Sequence, residues 1–117
     1  MSDERPEDSR LPMSVLPSIP ARIKQAVCDL EPRAEIILYG SRARGDARHD
    51  SDWDVLVLVD GPVDLARKKA LWHQLYALEL DLEESLSPVV VSRQDWDSPL
   101  YQAMPFHENV DHDGIML

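Results

Sequence analysis

Cysteine occurs once in this 117-residue chain, as Cys28, so no intramolecular disulfide framework can form and a reducing compartment is expected. Cys28 itself falls on the apolar side of an expected helix and reads as core. No apolar run approaches the ~20 residues that span a bilayer. The start, MSDERPEDSR, is charged rather than signal-like, so a cytoplasmic location is the expectation. Basic residues are scarce too: 12 Lys and Arg stand against 22 Asp and Glu, for a net charge of −10. Most of such a surface repels a long phosphate backbone, which argues against nucleic acid as a direct ligand and suits either solubility or a basic partner. The four histidines, His49, His73, His107 and His112, have neither HxxxH nor HExxH spacing, and none is assigned to a metal. Internal repeats are absent.

What the chain does have is concentrated between Leu38 and Asp60, LYGSRARGDARHDSDWDVLVLVD. A short apolar strand ends at Gly40-Ser41, a basic loop follows, and two aspartates one residue apart open a second apolar strand. Side chains alternate across a strand, so Asp52 and Asp54 project from one face and Trp53 from the other. Two carboxylates in one small volume are costly to desolvate unless a cation neutralises them, and Mg²⁺ characteristically takes one or two carboxylates plus substrate phosphates. A glycine permits close backbone approach and a serine hydroxyl can donate to a phosphate oxygen, which gives Gly40 and Ser41 a role beside the aspartates. Arg42, Arg44 and Arg48 lie in the loop between, a local positive charge in an acidic chain. Alternate aspartates at a strand start can also be simply solvated, as can Arg44 and Arg48.

The remainder reads as a small α+β order. Residues 1–16 mix acids, serine and proline with no apolar period, the pattern of a mobile arm without chemistry. Ser18 is placed to cap a helix carrying Ile19, Ile23, Ala26, Val27 and Leu30 on one face and ending before Pro32. Residues 34–39 and 53–59 read as strands, the second apolar on both faces and therefore covered on both. Residues 63 to about 83 read as a long helix with Leu71, Leu75, Leu78 and Leu82 on one face. Trp72 and Tyr76, four apart on that helix, read as a packing stripe, whereas Trp96 and Tyr101 read as interface candidates. Residues 89–91, extendable to Leu86, read as a third strand for which Pro88 indicates an edge or a strand start. Ser98-Pro99 opens a short helix and Asp113-Gly114 makes a terminal cap or turn.

Gly-Ser, ten residues, then Asp-x-Asp resembles the signature of the nucleotidyltransferase superfamily typified by DNA polymerase beta, and more narrowly the minimal nucleotidyltransferases that serve as antitoxins beside a HEPN-domain toxin. The specific part of the resemblance is Gly40 to Asp54; by layout it extends over 17–117, taken as one minimal nucleotidyltransferase domain. It implies a mixed, twisted sheet with helices on one face and the Gly-Ser loop and Asp-x-Asp exposed on the other. It implies Asp52 and Asp54 as catalytic ligands of Mg²⁺, and Gly40, Ser41, Arg42 and Arg44 as nucleotide-binding residues. The implied reaction moves AMP from ATP to a tyrosine hydroxyl of the HEPN toxin, within a hetero-oligomer. The superfamily commonly adds a third carboxylate on a neighbouring strand, but the matching strand here, LSPVVVS, has no acid. Asp81, Glu83 and Glu84 lie just upstream and read more simply as exposed residues at a helix end. A silent antitoxin acting by direct binding and a small-molecule nucleotidyltransferase stand as alternatives.

Overall fold

The computed structural model describes residues 18–117; the arm expected over 1–16 lies outside them. Helix α1 (Ile19–Leu30) starts where Ser18 Oγ accepts from the Ala21 N–H at 3.2 Å, with Pro20 in its first turn, and buries Ile23 and Val27. Strand β1 (Glu35–Tyr39) runs into the one-turn helix α2 (Ser41–Arg44), and β2 (Trp53–Val59) follows. The long helix α3 (Leu65–Leu82) is capped by Asp64, whose carboxylate accepts from the Arg67 N–H. Then come β3 (Leu86–Ser92), the short helices α4 (Arg93–Trp96) and α5 (Pro99–Gln102), helix α6 (Pro105–Asp113) and the two-residue strand β4 (Ile115–Met116).

The strands form one sheet in the order β3-β2-β1-β4, with β2 parallel to β3 and β1 antiparallel to both of its neighbours. The α+β class and the small mixed sheet expected from the sequence are both present. β3 is an edge strand, as Pro88 indicated, and Pro88 is the third of its seven residues, opposite Val55.

Two cores flank the sheet. Val55, Val57 and Val59 point to α1 and α3, where Ile23, Val27, Leu71, Leu75 and Leu78 close the larger one. Leu56 and Leu58 point the other way, onto Val91, Trp96 and Val110, with Phe106 and Tyr101 alongside. The expectation of helices on one face therefore holds for α1 and α3 and is incomplete: α4 to α6 cover part of the opposite face. The physical reason is the apolar run of β2, since exposing Leu56 and Leu58 would forgo roughly 3–6 kcal/mol of burial. Trp96 is 6% exposed at the centre of this second core, which corrects its reading as an interface residue. Trp72 and Tyr76 are corrected in the opposite sense, at 44% and 59% exposed.

Arg67 fastens the far end of the molecule. Its guanidinium grips both Glu31 oxygens at 2.7 Å and donates to the carbonyls of Asp60 and Pro62, joining the end of α1 to the β2–α3 turn. That double hydrogen bond holds the Glu31 carboxyl below its ordinary range. The opposite end, where β1 stops and β2 starts, is thereby left to the Gly-Ser turn and the aspartates.

Candidate active site

Antiparallel pairing sets Tyr39 opposite Asp54, so their side chains share one face, the same face as Leu56 and Leu58. β1 ends there because Gly40 takes φ +76° and ψ −159°, a region essentially reserved for glycine, and turns the chain into α2. Glycine is required a second time by space. A Cβ at position 40 would overlap the Asp54 carboxylate, lying 3.2 Å from its Cγ. The Asp54 side chain is thus seated on the Gly40 backbone beside Ser41. Gly45, at φ +86°, closes α2, with its N–H and that of Asp46 donating to the Ser41 carbonyl at 3.0 and 3.2 Å.

Asp52 is exposed and Asp54 half-buried. Burial, then the neighbouring Asp52 charge, raises the Asp54 carboxyl above its ordinary range, and Arg44 opposes the rise. The Tyr39 phenol is pushed up to about 12 by burial and by the Asp54 charge, while its ring meets Phe106 edge-on at 5.4 Å. A half-buried carboxylate raised by burial and by a neighbouring carboxylate charge fits a divalent cation, which would compensate it. Among the described residues no group of three or more His, Cys, Asp or Glu side chains is gathered to hold a metal.

The arginines of the loop separate into two jobs. Arg42 is turned to the loop itself: it donates to the carbonyls of Ser51 (3.0 Å) and His49 (3.2 Å) and lies 4.5 Å above the Trp53 ring. Arg44 is on the carboxylate side, held by Asp46 at 3.2 Å and Asp113 at 3.0 Å. Asp113 is 12% exposed and also meets His112 Nδ1 at 2.9 Å; the hydrogen bonds of His112 and Arg44 keep its carboxyl below the ordinary range. Sequence reasoning gave Asp113 no role at the site; its only signal was its place before Gly114 in a terminal cap or turn, and it is the last residue of α6.

The three upstream acids are occupied elsewhere or exposed. Glu84 accepts from the Trp53 indole N–H at 2.8 Å and faces Arg42 at 3.5 Å, on the side of β2 away from Asp52 and Asp54. Asp81 pairs with Arg22 at 2.5 Å. Glu83 caps the C-terminus of α3 at φ +56° and is exposed. On β3 the residue in register with Asp54 is Ser87, so a hydroxyl stands where a third carboxylate would project.

A Gly-Ser turn supports one of two alternate aspartates at the end of a mixed sheet, and a model of the nucleotidyltransferase domain matches residues 20–93; the chain belongs to that family. Among solved structures it is similar to a toxin-antitoxin crystal structure with AMP-PNP, at 21% identity over 85% of this chain and 72% of that one, with a TM-score of 0.62. A mutant of the toxin-antitoxin MntA-HpeT aligns at 23% identity over 86% and 72% of the two chains, TM-score 0.61. A second MntA-HpeT mutant aligns at 20% identity over 81% and 68%, TM-score 0.58. At these identities the likeness is one of fold. No curated protein sequence matches the chain.

Proposed function

We propose that this chain is the nucleotidyltransferase antitoxin of a toxin-antitoxin pair and transfers AMP from ATP to a tyrosine hydroxyl of a HEPN-domain toxin. The observation that carries the reading is the Asp54 carboxylate seated on Gly40, next to Ser41 and near enough to Asp52 to feel its charge. Family membership supports nucleotidyl transfer, and the shared fold with toxin-antitoxin structures, one of them with AMP-PNP, supports the partner and the nucleotide. In this reading residues 17–117 are the transferase domain, and it works in the cytoplasm as part of a hetero-oligomer.

The substrate hydroxyl forms a new P–O bond to the α-phosphorus, the bond from that phosphorus to the β-phosphate bridge breaks, and pyrophosphate and a proton are released. Asp52 and Asp54 would hold Mg²⁺, which would supply neutralisation of the charge on the transferring phosphoryl group. Ser41 and the Gly40 backbone position the terminal phosphates, and Arg44 lends positive charge next to Asp54. Arg42 acts at one remove, by keeping the loop from His49 to Ser51 in place.

A second reading has its own observation. With Ser87 in register with Asp54, Glu84 bound to Trp53 and Asp81 bound to Arg22, a weak or silent transferase that restrains its toxin by contact is also supported. One experiment separates the two. The chain is incubated with ATP, Mg²⁺ and its HEPN partner, and the partner is weighed by intact-mass spectrometry. A gain of one or more AMP that disappears with Asp54→Ala supports transfer. An unchanged mass, with toxin still restrained by the Asp52→Ala/Asp54→Ala protein, selects restraint by contact.

A further inference from the structure

The groups that the proposed reaction assigns to the phosphates all stand on one side of Asp54. Gly40 and Ser41 follow the end of β1, and Arg44 is held by Asp113, which leads into β4, the outer neighbour of β1. Across the sheet, the row through Asp54 reads Tyr39 on β1, Asp54 on β2 and Ser87 on β3. The other side of the carboxylate therefore belongs to Ser87, half-buried on an edge strand with no further strand beyond it. Displacement at phosphorus runs in line, so the attacking hydroxyl enters opposite the departing pyrophosphate. With pyrophosphate held on the β1 side, the acceptor comes in over β3.

What β3 presents to that acceptor is small and uncharged. Ser87 and Val89 alternate onto the face of Asp54, and Val89, in register with Leu56, packs half-buried against the second core. The short side chain at 87 leaves room beside Asp54, and Val89 offers an apolar bed for a ring. No side chain of β3, LSPVVVS, takes up a proton at neutral pH. The acids and bases of the elements around it are engaged or turned away. On α3, Glu79 accepts from the Leu86 N–H at 2.7 Å, and beyond it Glu84 is bound to Trp53 on the opposite face of β2. On α6, His107 is stacked on Trp96 and pairs with Asp111, and His112 pairs with Asp113. Arg93 and Asp95 of α4 lie past the far end of β3. Asp52 and Asp54 themselves are the carboxylates assigned to the cation.

An acceptor hydroxyl on this side has to give its proton to water, and that requirement sorts hydroxyls by acidity. A phenol ionises at about pH 10, so about one molecule in a thousand is phenolate at pH 7. An aliphatic hydroxyl resembles water, which ionises at about 15.7, and falls short of the phenol by roughly five powers of ten. Resting on the transfer reading above, we infer that Ser87 determines specificity on the acceptor side: it admits a hydroxyl beside Asp54 without supplying a base, and so confines transfer to phenols. The phenol oxygen bonds to the α-phosphorus, the bond from that phosphorus to the β-phosphate bridge breaks, pyrophosphate leaves on the Ser41 side, and the phenol's proton passes to solvent across the open edge of β3.

Two variants and two readouts test this. Single-turnover transfer from ATP to the HEPN partner is followed by intact mass from pH 7 to 9, with the modified residues mapped. Affinity for an ATP analogue with a methylene bridge between its α and β phosphates is measured by calorimetry. The wild-type protein is expected to modify tyrosine and no serine or threonine, at a rate that climbs nearly tenfold per pH unit, as the phenolate fraction does. Ser87→Asp places a base beside the acceptor; it is expected to raise the rate at pH 7 roughly tenfold or more and to flatten the pH profile. Ser87→Leu is expected to cut transfer roughly tenfold or more while analogue affinity stays within about twofold, which also shows that the variant is folded. Four results overturn the inference and leave transfer standing: AMP on serine or threonine, a pH profile that Ser87→Asp does not alter, wild-type transfer by Ser87→Leu, or analogue affinity falling in step with transfer in Ser87→Leu, which would put Ser87 on the nucleotide side. No AMP on the partner from the wild-type protein or either variant, with the analogue still bound, overturns the transfer reading and this inference together.

Discussion

Replacing Gly40 by alanine isolates the contact on which the site is built. The backbone at this position, φ +76° and ψ −159°, is in a region where a side chain costs about 1–3 kcal/mol. The new methyl also needs space now held by the Asp54 carboxylate, and forcing that side chain away from its preferred rotamer adds about 0.5–1.5 kcal/mol. A total near 2–4 kcal/mol corresponds to a fall in Tm of roughly 10–25 °C for a domain of this size. Gly45→Ala is the control, since Gly45 is also at positive φ but its added Cβ meets nothing within 4 Å. It should cost only the backbone part, about 1–2 kcal/mol. Combining Gly40→Ala with Asp54→Ala should return about 1 kcal/mol as coupling, measurable as a double-mutant cycle in urea. Equal penalties at Gly40 and Gly45, or an additive cycle, would refute the claim that the carboxylate rests on the glycine.

Asp54 carries a raised carboxyl, so the folded state holds its proton over a pH window above the ordinary aspartate value, and stability from this group is lost as pH rises through that window. Asp54→Asn is therefore expected to raise Tm at neutral pH by a few degrees and to leave it unchanged in acid; added Mg²⁺ should raise the wild-type Tm and not that of the variant, both read by thermal scans. Glu84→Ala removes the acceptor of the Trp53 indole and the neighbour of Arg42; with that carboxylate 26% exposed, the expected loss is about 1–2 kcal/mol in urea, and Glu84→Gln should recover most of it. Asp113→Asn loosens Arg44 and should weaken a nonhydrolysable ATP analogue about three- to tenfold by calorimetry with Tm little changed; a loss of Tm with intact affinity would make Asp113 structural only.

The parts of the fold visible in the sequence are those written in local chemistry. Ser18 and Pro20 announce α1, the unbroken apolar run of β2 demands a covered strand, and the spacing from Ser41 to Asp52 brings a serine turn to a pair of carboxylates. The site was legible to that depth. What stayed hidden depends on which neighbour a side chain meets. Trp72 and Tyr76 have the spacing of a packing stripe because α3 is apolar on two faces, and periodicity cannot say which one turns inward. Helix α6 has only Phe106 and Val110 as large apolar anchors in nine residues, too few to show a period, yet they close the second core with Trp96. Arg42 has the same formal charge as Arg44, and only tertiary geometry sends one guanidinium to loop carbonyls and the other toward Asp54.

Pro88 has a consequence of a different kind. It sits third of the seven residues of the outermost strand, LSPVVVS, and has no N–H to offer an incoming chain. With valine there, the outer strand would present four consecutive valines with no charge among them, the composition from which fibrils grow by templated addition. A Pro88→Val protein could fold with its aspartates correctly placed and still be lost to inclusion bodies. The proline's contribution would then be read in the soluble yield of a culture and in turbidity on warming, two quantities that the chemistry of the aspartates does not govern.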